Sequence, residues 1–327
     1  MLCLTEKLFA GKKIIEKSSK LLKNTAMINA KNAHYGQVDH KVENISERKG
    51  VIILPSPQAW QRLNWTRKYF QKKPKEGYFI WVKEQPLFSL TTCITIVSKK
   101  VSQQLNNLLV IERNIKAKAN AICRVAQPNL CAFHQVQGKL ILREKASLEY
   151  SHFHQWGQKD SVNPDYQFIL GRGSRLIYNY KNLAPPKNLQ LKTTVYNDNN
   201  ASANLNLTIN GLNSKIDIEE ALFLQGKNSQ GIVRLRLVGR KNSQIEAKSE
   251  ILAQAPAKGH LDCQGLLASK DSIISLVPKL VCQNKKAQIT HEASIGKISE
   301  EELNYLRTRG LSEKEAINLI IAGFLNK

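Results

Sequence analysis

No stretch of this chain reaches the ~18–20 uncharged apolar residues that a membrane-crossing helix needs, so no transmembrane segment is expected. The amino terminus, Met1-Leu2-Cys3-Leu4-Thr5-Glu6-Lys7, has its charge in the wrong place for a secretory leader, and no small-residue cleavage site follows. Cysteine is sparse: six, scattered over 327 residues, read as reduced cytoplasmic thiols rather than a disulfide framework. The patterns G-x-x-x-x-G-K-S/T, C-x-x-C, H-E-x-x-H and G-x-S-x-G are all missing, which removes the P-loop ATPase, zinc-ribbon, zincin and serine-hydrolase readings. Acidic residues are few, 26 against 49 basic ones, leaving a net charge of +23. That excess points to nucleic acid, an anionic membrane or an acidic protein as partner, and is silent on chemistry.

What is present suits a folded protein: 42% hydrophobic residues and enough chain for a sizeable core. The charge gathers near the start, where residues 1–75 hold 16 Lys+Arg against 5 Asp+Glu. Over about Thr5–Lys23, Leu4, Leu8, Ile14, Ile15, Leu21 and Leu22 share one helical face, with lysines on the other. A second helix is predicted over Pro57–Gln71, with Pro57 in its first turn and Trp60, Trp65, Tyr69 and Phe70 as bulky anchors. Residues 32–50, polar throughout, read as loop.

From about Gly77 the period changes to that of strands. Tyr78–Val82, Thr92–Val97, Asn107–Arg113, Gly138–Leu148, Arg175–Tyr180, Leu189–Tyr196, Ala203–Asn210, Ser214–Ile218, Gly231–Val238, Ser243–Ile251 and Gly259–Leu267 are rich in β-branched and aromatic residues. Alternation is explicit in Leu205, Leu207 and Ile209 against Asn204, Asn206 and Thr208. Asn, Gly and Ser separate the strands instead of helices, which argues a mainly β fold. Gly171-Arg172-Gly173-Ser174 reads as one such turn. No repeat of fixed length is evident, yet so long a run of short strands favours coils stacked along one axis over a compact sandwich.

The last residues are legible in detail. Ser299-Glu300-Glu301-Glu302 and Ser312-Glu313-Lys314-Glu315 are two capping boxes, and Gly310 between them suits a left-handed helix terminator. They predict a helical hairpin whose second helix turns Ala316, Ile317, Leu319, Ile320 and Phe324 to one side. The expected organisation is a basic N-terminal helical segment (1–76), a strand-rich core (77–298) and a C-terminal hairpin (299–327).

Several side chains carry chemistry. His152 and His154 form H-x-H, which on a strand puts both rings on one face, as metal ligands or as part of an aromatic surface with Tyr150, Phe153 and Trp156. Cys3, Cys93 and Cys282 lie in apolar surroundings and read as buried small hydrophobes. Cys123 and Cys131, followed by His134, have no recognised ligand spacing.

Gly259-His260-Leu261-Asp262-Cys263-Gln264-Gly265-Leu266-Leu267 is followed by Pro278-Lys279-Leu280 and by His291-Glu292-Ala293-Ser294-Ile295-Gly296-Lys297-Ile298. The run ends in Tyr305-Leu306-Arg307-Thr308-Arg309-Gly310-Leu311-Ser312-Glu313-Lys314-Glu315-Ala316 and Gly323-Phe324. Together these resemble the C-terminal half of the SufB/SufD family, scaffold subunits of the SUF iron–sulfur cluster assembly machinery. Upstream, Gly77–Lys83, Asn106–Glu112, Ala146–Tyr150 and Trp156-Gly157 resemble its short, archaeal-type members. The resemblance covers about residues 77–325 and leaves the first 75 unmatched.

The resemblance implies a right-handed parallel β-helix between helical ends, acting as a scaffold without turnover of its own. Cys263, His291 and Glu292 occupy the positions implicated in holding a transient iron–sulfur cluster. A soft thiolate with imidazole and carboxylate suits a site that must release what it builds. The hairpin resembles the region that docks a SufC-type ATPase, making Tyr305, Leu306, Arg309, Leu311 and Phe324 coupling candidates beside their plainer role in hairpin packing. A homodimer through the β-helix, or a heterodimer with a second scaffold, and a cysteine desulfurase or other sulfur donor complete the implied partners.

The departures keep other readings open. Leu191–Tyr196, aligned with a strand that carries a cysteine in SufB-type subunits, has none, and no cysteine lies between Cys131 and Cys263. Thr290 stands where an acidic residue often precedes the His-Glu pair. SufD-type subunits, conversely, lack the thiol at the position of Cys263. A sulfur-receiving role then falls to Cys123 or Cys131, with His134 close by. One alternative is a SufD-like subunit that binds the ATPase without building a cluster. Another is nucleic-acid or anionic-membrane binding through Trp60, Trp65, Tyr69 and Phe70 among Arg62, Arg67, Lys68, Lys72 and Lys73, against a merely solvated basic face; nucleic acid is not an expected partner.

Overall fold

The computed structural model describes residues 32–70 and 72–326, so Cys3 and the helix expected over Thr5–Lys23 lie outside the described residues. The strands are β1 (Ala33–Val38), β2 (Lys41–Ser46), β3 (Val51–Pro55), β4 (Tyr78–Val82), β5 (Leu90–Ile96), β6 (Ser102–Ile111) and β7 (Lys116–Val125). Then follow β8 (Phe133–Leu142), β9 (Ser147–Gln155), β10 (Ser161–Leu170), β11 (Arg175–Ala184), β12 (Asn188–Asn197) and β13 (Ser202–Leu212). The last are β14 (Lys215–Leu224), β15 (Gln230–Arg240), β16 (Gln244–Ala253), β17 (Lys258–Leu267), β18 (Ile273–Cys282) and β19 (Gln288–Lys297).

Odd-numbered strands from β5 to β19 stack into one sheet and even-numbered strands from β4 to β18 into the other, every neighbour in these two runs parallel. The chain is thus a parallel β-solenoid in which each coil gives one strand to each sheet. Successive coils are offset by 27 residues (Ser161 to Asn188) up to 31 (Lys116 to Ser147). Inward positions are mostly apolar and outward ones mostly polar, so each coil before the last buries one face against the facing sheet. The turns stack as well. Asn114, Lys145, Gly173, Asn200 and Asn228 each hold a positive φ at one corner. Each passes its backbone N–H to a carbonyl of the next coil, for example Asn200 to Lys227 at 2.9 Å.

The polar stretch expected as loop forms β1 and β2 instead. β1 adds parallel to β5, and Tyr35 points into the core with its O–H donating to Gln37 Oε1 at 2.8 Å. Internal hydrogen bonds let a polar strand close that end of the solenoid. The aromatic segment splits at Leu63 into a helix, α1 (Ser56–Arg62), and a 3₁₀ turn, Asn64–Tyr69. Trp60, Trp65, Tyr69 and Phe70 pack on Phe79, Leu108, Val110 and Ile141, the Trp65 and Trp81 rings meeting at 5.0 Å. The C-terminal hairpin is α2 (Glu300–Thr308) and α3 (Glu313–Leu325), with both capping boxes formed. Gly310 between them has φ +89°. Ile321, Ile317 and Phe324 of α3 pack on Val238 and Leu266, on the outer face of the first sheet.

Candidate functional site

Cys263 sits near the middle of β17, on its inner face with Leu261 and Gly265, and is buried. Its register partners are Leu235 on β15 and Ala293 on β19. Burial pushes the thiol up to about 12, the charge of Glu220 adds to this, and the Ser249 hydroxyl opposes it. Cys263 is therefore a protonated thiol at neutral pH until something displaces the proton.

β19 is the terminal strand of the first sheet, and its side chains, Ile289 apart, are exposed because no further coil covers them. His291 pairs with Leu261, so it shares the inner face with Cys263, one pleat along and one strand over. Glu292 pairs with Asp262 and lies on the outer face. There Asp262 accepts a two-pronged ion pair from Arg236, with contacts of 2.6 and 3.0 Å. The strands thus bring Cys263 and His291 together and turn Glu292 away.

Cys123, His134, His152 and His154 all lie inside the solenoid, toward its other end. Along one inner row run His152, Tyr180, Leu207, Leu235 and Cys263, so four strand spacings, about 19 Å, separate the two groups. Cys123 joins the H-x-H pair because the coil of β7 stacks under that of β9. Cys123 Sγ is 3.5 Å from His152 Nε2, and His154 Nε2 is 2.9 Å from the same atom. All three ligand atoms lie within 4.8 Å of one another.

Hydrogen-bond polarity limits what this triad does. The Trp156 indole N–H can only donate, and it donates to Nδ1 of His154 at 3.0 Å. A neutral His154 then carries its proton on Nε2 and donates it to His152 Nε2. His152 in turn keeps its proton on Nδ1, facing the Tyr178 hydroxyl at 3.5 Å. The Cys123 thiol is left competing for a lone pair already in use. His152 has the polarity of a metal ligand, with an acceptor behind its other nitrogen; His154 does not. Burial holds His152 and His134 at about 3 and His154 well below its ordinary value, so all three are neutral. Burial likewise raises the Cys123 thiol. His134 Nδ1 bonds Gln103 Oε1 at 2.7 Å, and its Nε2 has no partner among the described residues.

The remaining residues separate clearly. Cys131 is exposed in the turn after β7, away from the triad, and Cys93 is buried as expected. Cys282, expected in the core, is exposed, because it ends β18 in the last coil. On the hairpin Tyr305 is exposed with the Arg309 guanidinium over its ring at 5.3 Å, whereas Leu306, Leu311 and Phe324 are half-buried. No described helix is long and apolar enough to cross a membrane.

Residues 94–324 match the family model described as SUF system FeS cluster assembly, SufBD core domain. An iron–sulfur cluster assembly SufBD family protein of Methanothermobacter thermautotrophicus (strain Delta H) is 32% identical over 255 residues, covering 76% of this chain. The chain spans 62% of the length of that relative. A protein of the same description from Archaeoglobus fulgidus is 29% identical over 310 residues, covering 89% of this chain and 84% of its own. A third, from Methanocaldococcus jannaschii, is 26% identical over 247 residues, covering 73% and 76% respectively.

Proposed function

The chain belongs to the SufBD family of iron–sulfur cluster assembly proteins, and from that premise we propose that it is a scaffold subunit building a labile cluster at Cys263 and His291. The observation that carries the reading is their shared inner face at the uncovered end of the solenoid. The cluster is the cargo. A thiolate supplies one firm soft ligand and a neutral imidazole a weaker one, so the product can leave. Glu292, on the outer face, serves this site from a second subunit or by rearrangement of the terminal strand. Burial of Cys263 means that iron must displace a thiol proton.

The chain has no phosphate loop, and a SufC-type ATPase is the proposed driver, docking on α2 and α3 through the exposed Tyr305–Arg309 pair. The uncovered edge of β19 is the proposed seat of a second scaffold, itself or a paralogue, since a bare parallel strand offers a full row of backbone donors and acceptors. A sulfur donor of the cysteine desulfurase kind feeds the site.

Anaerobic reconstitution with iron(II) and sulfide, the ATPase present, tests the assignment. The expected result is visible charge-transfer absorption that Cys263→Ser largely removes; a colourless parent protein overturns it. The second reading, an ATPase-binding subunit that builds nothing, draws on the deep burial of Cys263. It predicts that hairpin deletion abolishes ATPase capture while Cys263→Ser is silent in cells.

A further inference from the structure

The inner face of the second sheet carries three polar side chains in one row. Thr193 on β12, Glu220 on β14 and Ser249 on β16 are register partners of one another. Glu220 is only 3% exposed, and the two hydroxyl residues are as deeply buried. None of their side-chain oxygens, including both of Glu220, has a hydrogen-bond partner among the described residues. A carboxylate without a donor in a dry interior is costly, and burial pushes this one up to about 8.

Ser249, at the end of the row, is on the strand just before β17 and so in the same coil as Cys263, and Glu220 is one coil back. The Glu220 charge acts on the Cys263 thiol, and the Ser249 hydroxyl lies near enough to favour its thiolate. The sulfur, the hydroxyl and the carboxylate thus all point into the lumen from adjacent coils, and among the described residues no cationic side chain points in with them. Of the cationic side chains nearby, Arg236 is committed on the outer face to Asp262. Lys192 and Lys248 are also outward, paired with Glu219 and Glu246. A cation would supply the partner that these oxygens lack.

We propose that Glu220, Ser249 and Cys263 form an inner receiving site for a divalent metal ion, with the Glu220 carboxylate as its oxygen ligand. The donor set decides the class of ion. One carboxylate, one thiolate and a hydroxyl suit a borderline ion such as iron(II); magnesium and calcium call for more oxygens, and copper(I) for more sulfur. The identity of the ion as iron(II) rests on the function proposed above; the ligand assignment rests on the unpartnered oxygens. Binding releases the thiol proton and, where Glu220 is protonated, the carboxyl proton, both to solvent. Glu220 thereby holds the ion on the side of the sulfur toward the preceding coils, leaving the side of β19 and His291 free for what is added next.

Anaerobic titration of the full chain with cobalt(II), read by its thiolate charge-transfer band and its d–d spectrum, tests the site. The parent is expected to bind one ion through a thiolate band that is absent in Cys263→Ser. Glu220→Gln should keep that band, bind at least about tenfold more weakly and change the d–d spectrum. Glu219→Gln, altered on the outer face of the same strand, should match the parent. Circular dichroism and melting check that each variant folds, and Glu220→Asp, which retracts the carboxylate by one methylene, gives a second route to weaker binding if the amide does not fold. Parent affinity and parent d–d spectrum in Glu220→Gln, or in Glu220→Asp if only that folds, overturn the inference and leave the scaffold reading intact. A reconstituted cluster unaffected by Cys263→Ser instead overturns the scaffold reading, whatever Glu220 does.

Discussion

Cys263 and His291 stand on the same inner face of adjacent parallel strands, one pleat apart, and the residue next to His291, Glu292, faces the other way. A one-residue step along a strand reverses the face of a side chain. In the isolated chain, Cys263→Ser and His291→Ala should each remove most of the reconstituted charge-transfer absorption, and Glu292→Ala much less. If a second subunit brings Glu292 to the site, the Glu292→Ala defect should grow with scaffold concentration. Absorbance and iron content measured across a dilution series separate the two contributions.

The buried histidines make the solenoid acid-sensitive. His134 and His152 are held at about 3 and His154 well below its ordinary value, all by burial. As pH falls below about 6.5 the unfolded chain takes up these protons and the folded one does not, so stability present above 6.5 is lost on acidification. Three such groups give a slope of about 4 kcal/mol per pH unit at most. Denaturant melts at pH 7 and pH 5 should therefore differ by several kcal/mol, and His152→Gln should flatten the dependence. An unchanged midpoint between the two pH values would refute the neutral buried state.

Glu220 acts with the opposite sign between about pH 4.5 and 8, offsetting part of the histidine effect over that range. Its folded value, about 8, lies above the ordinary 4.5. The folded state thus binds the extra proton between these values, and stability falls as pH rises through that window. Glu220→Gln should gain stability over the metal-free parent by a few kcal/mol at pH 9 and little at pH 4, on the order of what such a shift allows. Thermal melts at the two pH values check it.

Much of this architecture was readable from alternation, and the exceptions have local causes. β10 and β18 each contain a proline, Pro164 and Pro278, which argues against a central strand. The fold absorbs Pro164 by leaving the ladder to β12 unpaired between Val162 and Asp165. β7 is alanine-rich where it faces the lumen, and β1 is polar, so neither has the β-branched signature. The repeat hides because coil length varies and its one recurring mark is a left-handed corner filled by Asn, Lys or Gly alike. At the site, Cys263 and His291 were visible through family resemblance, and His152 with His154 through spacing. Cys123 joins them only by the stacking of coils offset by 31 residues. Glu220 was missed among surface charges, although Ile216, Ile218 and Leu222 on β14 have its parity and mark it as inward.

The close stacking of coils also fixes where bulk is forbidden. A Cβ on Gly226 would overlap the backbone of Asp198 and Asn199 in the preceding coil, where no side-chain adjustment can give way. Gly296, in the terminal strand, has open space around the same position. Gly226→Ala should therefore cost about 3 kcal/mol or more or prevent folding, and Gly296→Ala should stay within about 0.5 kcal/mol. Denaturation midpoints of the two variants decide it.

The hairpin separates docking from packing within a few residues. Tyr305 is 59% exposed and its ring holds Arg309, whereas Phe324 packs on the cluster of Val238, Leu266 and Ile321. An exposed side chain lost to alanine leaves stability nearly unchanged, whereas a packed aromatic leaves a gap. Tyr305→Ala and Arg309→Ala should therefore weaken capture of a SufC-type ATPase about tenfold or more without moving the melting temperature, as an aromatic–arginine anchor at an interface does. Phe324→Ala should loosen α3 first, lowering its hydrogen-exchange protection, and weaken capture only through that loss. Ser312→Ala removes the cap of α3, at about 1 kcal/mol, and should behave like Phe324→Ala. ATPase binding measured beside hydrogen exchange over residues 300–325 distinguishes the two classes. Parent-like binding in Tyr305→Ala and Arg309→Ala would move the docking surface off this hairpin.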